Sequence, residues 1–161
     1  MIKKMSLFGL IGLFVGIFTL SSCSSDSDSL DTDNLKTNIV GLWETHHISG
    51  YDYDDDNNSD EDLIIPIDSD ITGSDRDRIL FKGDGTYKKY FYLTSSDSWF
   101  SNSFAGGKYE VSGNRIYIYD TKGNIEDTYT VTSLKNNTLV VEFPLDEGSK
   151  YINRLTLKKV E

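Results

Sequence analysis

From residue 39 to the end, short segments rich in aromatic and β-branched residues alternate with clusters of Gly, Asn and Asp. This pattern is typical of an all-β domain. Several breaks, such as "KGDGT" (82–86) and "VSGNR" (111–115), offer the Gly and Asn residues that accept the positive φ of tight hairpins. Because connections this short favour antiparallel neighbours, we predict a single up-and-down β-barrel. The eight candidate strands are 39–48, 77–82, 85–94, 107–112, 115–120, 126–133, 138–143 and 150–159.

Alternation along the strands predicts which side chains fill the barrel. In the last run, Tyr151, Leu155 and Leu157 share one face and Arg154 lies on the other, whereas for 115–120 either face can point inward. We predict that both prolines lie outside the strands and that no helix follows residue 22. An eight-stranded barrel either fills its interior or holds one small ligand. The large interior candidates are Trp43, Phe81, Tyr87, Phe91, Ile116, Leu139 and Phe143.

The N-terminus carries a short basic head followed by apolar residues 5–20, the pattern of a secretory signal peptide. Leu20-Ser21-Ser22-Cys23 resembles the lipobox of bacterial lipoproteins. The resemblance implies cleavage after residue 22 and lipidation of Cys23 with acyl chains such as palmitate, which would anchor the chain to a membrane. The alternative is a secreted protein with one unpaired thiol.

The residues after the cysteine indicate the cellular location of the protein and a linker to its folded domain. The acidic run 24–28 resembles the surface-export signal of Bacteroidetes lipoproteins, which implies the outer membrane and the cell surface, with the periplasmic leaflet as the alternative. The segment 23–38 is rich in Ser, Asp and Asn and has little to bury. We therefore predict a flexible, lipidated tether over 23–38 and a folded domain over 39–161.

The net charge excludes one class of partner. The full chain has 16 basic and 26 acidic side chains. Removal of residues 1–22 takes away two lysines, which leaves a formal charge of −12. Because nucleic-acid binding needs clustered Lys and Arg, we expect no nucleic-acid partner.

Three stretches together indicate a family. "IVGLWE" (39–44) contains a G-x-W motif, "ILFKGDGTY" (79–87) is a strand–turn–strand hairpin, and "SKYINRLTLKK" (149–159) is a late strand. Their order resembles that of lipocalin-like lipoproteins of the Bacteroidetes. The resemblance implies a lipocalin-like barrel over 39–161, with Arg154 covering the motif's tryptophan. The acidic insertion 49–76 departs from the family pattern.

Two groups of residues are candidates for binding. In the insertion, Asp52, Asp54 and Asp56 match the first three positions of an EF-hand loop and are weak calcium ligands, although the later positions do not match. A solvated acidic loop is the alternative, and no other cofactor is expected. Because they are adjacent on a strand, His46 and His47 point to opposite faces and cannot easily hold one metal together.

Aromatic residues form the second group. Trp99, Phe100 and Phe104 lie in a polar Ser/Asn stretch. With Trp43, they are candidates for contact with a ligand or for the rim of its portal, because exposed aromatics offer a large contact area. The alternative is that they fold inward and plug one end of the barrel.

No catalytic constellation is present in the sequence. It contains no G-x-S-x-G elbow and no Gly-rich phosphate loop before a helix, and lipidation would occupy its only thiol, so we predict that the protein is not an enzyme. Two functions remain open. The barrel binds a small apolar or amphipathic molecule, or it is packed solid and acts as a structural or protein-interaction module with an envelope protein partner.

Overall fold

The computed structural model describes residues 30–54, 63–102 and 105–161. This part of the chain folds into one antiparallel sheet with a single α-helical turn, which confirms the predicted all-β class. The elements are α1 (Leu35–Asn38), β1 (Gly41–Tyr53), β2 (Ile64–Asp70), a 3₁₀ turn (Gly73–Asp75), β3 (Asp77–Phe81), β4 (Thr86–Leu93), β5 (Ser98–Phe100), β6 (Gly106–Ser112), β7 (Arg115–Tyr119), β8 (Ile125–Lys135), β9 (Thr138–Pro144) and β10 (Ile152–Lys159). None of the helices in these residues is long and apolar enough to cross a membrane.

The sheet closes into a barrel because β1 hydrogen-bonds to a neighbour on each edge. Residues 41–44 pair with β3, and on the other edge residues 43–49 pair with β10. The closed circuit runs β1, β3, β4, β6, β7, β8, β9, β10 and back to β1. These eight strands are the eight predicted ones, so the predicted lipocalin-like barrel is confirmed.

Two further strands lie outside the barrel circuit. β2 pairs with residues 47–53 of β1, and β5 pairs with the end of β4. The acidic insertion therefore contains a β-hairpin, which the sequence did not predict. Pro66 lies inside β2 and Pro144 ends β9, so the prediction that both prolines fall outside strands is wrong. β2 accepts a proline because it pairs with β1 alone and forms an edge of the sheet.

Inward-facing apolar side chains form one continuous core. Ile116 and Ile118 are fully buried, which settles that this face of β7 points inward. Of the predicted interior residues, five are buried: Trp43, Phe81, Tyr87, Ile116 and Leu139. Phe143 is half-buried and packs edge-on against Tyr129.

A short plug closes the barrel end at which β1 begins. Leu35 and Ile39, four residues apart on one helical face, are both fully buried, and Leu30 packs against the same core. The indole N–H of Trp43 donates to the Ile39 carbonyl oxygen at 2.7 Å. The predicted absence of a helix is therefore wrong, and so is the tether's boundary at 38, since the chain is already packed at Leu35. Residues 23–29 lie outside the described residues.

A lysine, not the expected arginine, covers the tryptophan of the G-x-W motif. Lys159 is the register partner of Trp43, and its Nζ lies 5.4 Å from the ring centroid. Gly41 has φ +140°, a backbone conformation that L side chains rarely adopt, which explains the glycine. Arg154 lies on the outer face, where its Nη2 is 2.6 Å from the Glu142 Oε1.

We predict that Leu35→Ala lowers the free energy of unfolding by about 2–5 kcal/mol, because it leaves a cavity in a filled core. The matched control is Lys36→Ala, an exposed neighbour that should change it by less than about 0.5 kcal/mol. Urea denaturation of a chain spanning residues 24–161 measures both. Equal small effects would mean that the segment acts as a tether after all.

Candidate functional site: the barrel cavity

The barrel encloses a cavity of about 340 Å³. Its wall includes Thr45, Asp77, Phe91 and Glu126, which lie toward the barrel end opposite the α1 plug. Asp77 and Glu126 are exposed to solvent, so the cavity opens at that end. The volume falls within the roughly 300–1,000 Å³ range of small-molecule pockets.

Most of the cavity wall is apolar. Side chains from β9 and β10 form one continuous patch, and the facing wall comes from β3, β4 and β7. This surface can take up the apolar part of a ligand by removing it from water. The apolar residues are Ile79, Phe81, Phe91, Ile116, Leu139, Val141, Leu155 and Leu157.

A polar group links β4 to β8 across two intervening strands. The Tyr87 hydroxyl donates to the Glu126 Oε2 at 3.0 Å. Lys89 Nζ lies 3.2 Å from the Asp127 Oδ2 and 3.7 Å from the Glu126 Oε1. The Tyr129 hydroxyl donates to the same Asp127 oxygen at 3.3 Å. The cavity thus has a polar side and an apolar side.

Glycine opposite Tyr87 makes this arrangement sterically possible. Gly107 is the register partner of Tyr87 on β6. A Cβ at Gly107 would lie 3.2 Å from the Tyr87 Cε1 and would collide with the carbonyl oxygen of Tyr119. Without that side chain, the tyrosine ring can lie along the wall and reach Glu126.

Burial controls protonation in the cavity. Desolvation raises the pKa of Tyr87 and of Tyr129, and the neighbouring carboxylates raise both further, so both hydroxyls stay protonated and donate. Desolvation by the surrounding protein atoms also raises the pKa of Asp77, and the positive charge of Lys89 only partly offsets this rise. Thr45 holds the Asp77 backbone, since its Oγ1 accepts from the Asp77 N–H at 2.9 Å.

Trp99 lies on the outside of the barrel, away from the cavity. The Arg78 guanidinium stacks 4.0 Å from its ring centroid, and Arg76 lies 5.2 Å away. Both arginines bind Glu44, a nearly buried carboxylate on the outer face. Burial alone would raise the pKa of Glu44, but the hydrogen bonds from the two arginines outweigh it and lower that pKa. The structure therefore places Trp99 in an external ion-pair cluster.

The other aromatic candidates have different surroundings. Phe100 is 40% exposed and lies 5.5 Å, between ring centroids, from the cavity-lining Phe91. It is therefore the one candidate that the structure places beside the cavity mouth within the described chain. Trp43 is buried in the plugged end and does not line the cavity. Phe104 lies outside the described residues.

The calcium site stays a prediction. Asp52 and Asp54 lie at the end of β1 and just after it, whereas Asp56 is outside the described residues. Among residues 30–54, 63–102 and 105–161, no group of three or more His, Cys, Asp or Glu side chains is placed to hold a metal ion. The lipidation candidate, Cys23, also lies outside the described residues.

Sequence reasoning missed the charged residues of the cavity: Asp77, Lys89, Glu126 and Asp127. One signal was available. Lys89 has the same parity as Tyr87 and Phe91, both predicted to face inward, so alternation alone places a lysine inside the barrel. The partners of Lys89 lie more than 35 residues away, and no local pattern joins them to it.

A closed eight-stranded barrel with an amphipathic internal cavity defines a binding fold. The sequence profile of the lipocalin-like domain family matches residues 39–141, and the chain belongs to that family. This fold is generally a binding fold without enzymatic activity. A search of curated protein sequences found no match to the chain.

A histidine joins the two strands of the outer hairpin. The Nε2 of His47 lies 2.8 Å from the Asp68 Oδ1, and its Nδ1 lies 3.0 Å from the Asp70 Oδ1. Both ring nitrogens can donate only when the imidazole is protonated. These contacts, with the Asp70 hydrogen bond first, raise the pKa of His47.

We predict that this contact stabilises the hairpin most at acidic pH. Because the folded pKa is raised, the stabilisation is complete below the unfolded value of about 6.5 and is lost as pH rises through the folded value. NMR titration should place the pKa of His47 above about 6.5, and Asp70→Asn should move it back toward that value. A wild-type pKa at or below the unfolded value would contradict the prediction.

Proposed function

We propose that the protein is a cell-envelope lipoprotein whose barrel binds one small amphipathic molecule. The observation that carries the proposal is the cavity of about 340 Å³, with an apolar wall on β9 and β10 and a polar group on β4 and β8. The family's binding fold supports the same kind of function.

The two sides of the cavity have different tasks. Burial of apolar ligand surface contributes roughly 25 cal/mol per Å², which supplies affinity without fixing orientation. The polar side, with Tyr87, Lys89 and Glu126, fixes the orientation of the ligand's head group. This division is the usual construction of a small-molecule site.

The cavity favours this function over a solid barrel that serves only as a structural or protein-interaction module. Large side chains such as Trp43 and Tyr109 fill the plugged end, whereas the open end has small ones on its wall, including Ala105 and Thr45. A barrel selected only for rigidity gains from filling that volume, because each cavity costs stability. We propose no catalytic activity and no resident cofactor.

We further propose that acyl chains on Cys23 hold the protein to the outer membrane, at the cell surface. The support is the lipobox-like Leu20–Cys23 and the acidic run that follows. The alternative location is the periplasmic leaflet of the outer membrane.

The binding function is tested with N-phenyl-1-naphthylamine, an uncharged fluorescent probe, on a chain spanning residues 24–161. We expect saturable binding at one site. Leu155→Trp, which fills part of the cavity from β10, should weaken it by at least about tenfold, equal to about 1.4 kcal/mol. The matched control is Lys158→Trp, which adds the same side chain at an exposed position of the same strand.

Two outcomes would contradict the binding function. One is that the probe does not bind saturably to the folded chain. The other is that Leu155→Trp, shown by urea denaturation to be folded, binds as tightly as Lys158→Trp. Native mass spectra of the chain exported to the periplasm of its own host would then begin to identify the cargo from any extra mass that denaturation releases.

The anchor is tested separately. Growth of cells with an alkyne analogue of palmitate should label the wild-type protein, and Cys23→Ser should abolish the label and release the protein from membranes. Ser22→Ala is the control, because it keeps a small residue before the cysteine. Protease treatment of intact cells distinguishes the surface from the periplasmic leaflet. Labelling that survives Cys23→Ser would refute the anchor.

A further inference from the structure

We infer that the cavity selects amphipathic cations, such as a primary amine carrying an apolar group, over neutral and anionic molecules of the same shape. The inference rests on the proposed function, since it names the class of molecule that the cavity binds. It follows from the balance of charges and of hydrogen-bond donors on the polar side.

Carboxylates outnumber cations at the cavity. Asp77 and Glu126 line it, and Asp127 adjoins it through Lys89 and Tyr129. Lys89 is the only one of these groups with a positive charge, so the ionised cluster carries an excess of two negative charges. Arg78 also borders the cavity, but its guanidinium binds Glu44 and stacks on Trp99, on the outside of the barrel.

The hydrogen-bond donors of this cluster are largely occupied. The hydroxyl protons of Tyr87 and Tyr129 are directed at Glu126 and Asp127, and Lys89 lies between the same two carboxylates. Each carboxylate has two oxygens that together accept about four hydrogen bonds. Unused capacity in the cavity is therefore mainly acceptor capacity, which a ligand fills by donating.

Asp77 is the clearest case of unused capacity. Its carboxylate accepts no hydrogen bond from the described residues, although its backbone is held on both sides by Thr45. Asp77 is the first residue of β3, at the open end, and it is paired with Phe91 in the register. It lies two residues before Ile79, so both residues share the inward face of the strand. An ammonium group placed here donates three hydrogen bonds while its apolar part lies against the inner wall.

An inorganic cation does not fit this surface as well as an organic one. The carboxylates do not form a group of three placed to hold a metal ion, within the part of the chain that the structure describes. The apolar wall beside them includes Phe91 and Leu155, which a bare ion would leave uncovered. An anionic head group would add a further negative charge next to Asp77 and Glu126.

The test compares three probes with the same alkyl chain, n-decylamine, n-decanol and n-decanoate, by calorimetry at neutral pH and physiological ionic strength. The chain spans residues 24–161, which keeps everything after Cys23. We expect the amine to bind about two- to fivefold more tightly than the alcohol, as one partly exposed ion pair provides, and the decanoate to bind most weakly.

Variants locate the selectivity. Asp77→Asn combined with Glu126→Gln should reduce the ratio of amine to alcohol affinity to about one, whereas Lys89→Gln should raise that ratio. The matched control is Glu110→Gln, which removes a carboxylate from the outer face, where it accepts from Tyr119. It should leave the ratio unchanged. Binding of the uncharged naphthylamine probe reports that each variant still has a folded cavity.

The outcomes separate the two proposals. If neither the naphthylamine probe nor any decyl compound binds, the proposed function fails. If the probe binds but decanoate or decanol binds as tightly as decylamine, the binding function stands and the selectivity for cations is refuted. If the double variant still prefers the amine to the same degree, the preference comes from the acidic outer surface of the protein and not from the cavity. That result would also refute the inference.

Discussion

β1 hydrogen-bonds to three strands, and its pairing with β10 closes the sheet into a barrel. Its first residues pair with β3, its later ones with β2, and residues 43–49 pair with β10 on the other edge. Without the last pairing, two strands would expose unpaired edges and no interior would be enclosed. The same pairing brings Lys159 over Trp43, so the closure of the barrel and the burial of its plug depend on each other.

The barrel holds a cavity because side-chain size is distributed unevenly along its axis. An eight-stranded barrel has an interior just wide enough for side chains to fill, so an empty volume needs small residues on inward positions. Ala105 occupies such a position on the cavity wall, and Trp43 and Tyr109 fill the other end. Gly107 has a different effect, because the Tyr87 ring lies over it and reaches Glu126.

Local patterns predicted the barrel strands well and the charged interior poorly. Alternation and turn residues are local, and they were enough to find eight strands and the inward face of β9, but they left both faces of β7 open until the burial of Ile116 and Ile118 decided it. β2 was missed because its proline and acidic residues argue against a strand, whereas the structure tolerates both on an edge. Arg154 was preferred over Lys159 as the cover of the tryptophan, although parity with Leu157 favours the lysine. The pairing of Lys89 with Asp127 depends on closure of the sheet, which no local pattern encodes.

The positions of the plug and the cavity determine how an anchored barrel would be oriented relative to the membrane. The chain enters the barrel through α1 at the plugged end, and the cavity opens at the other end. Six residues lie between Cys23 and Leu30, and the seven Cα-to-Cα steps that join them span at most about 25 Å in an extended chain. In the proposed lipoprotein the plugged end therefore stays near the membrane, and the mouth with Asp77 and Phe100 points away from it. A ligand would thus enter from the aqueous side. A cationic group would reach the carboxylates at the mouth before it reaches the apolar wall.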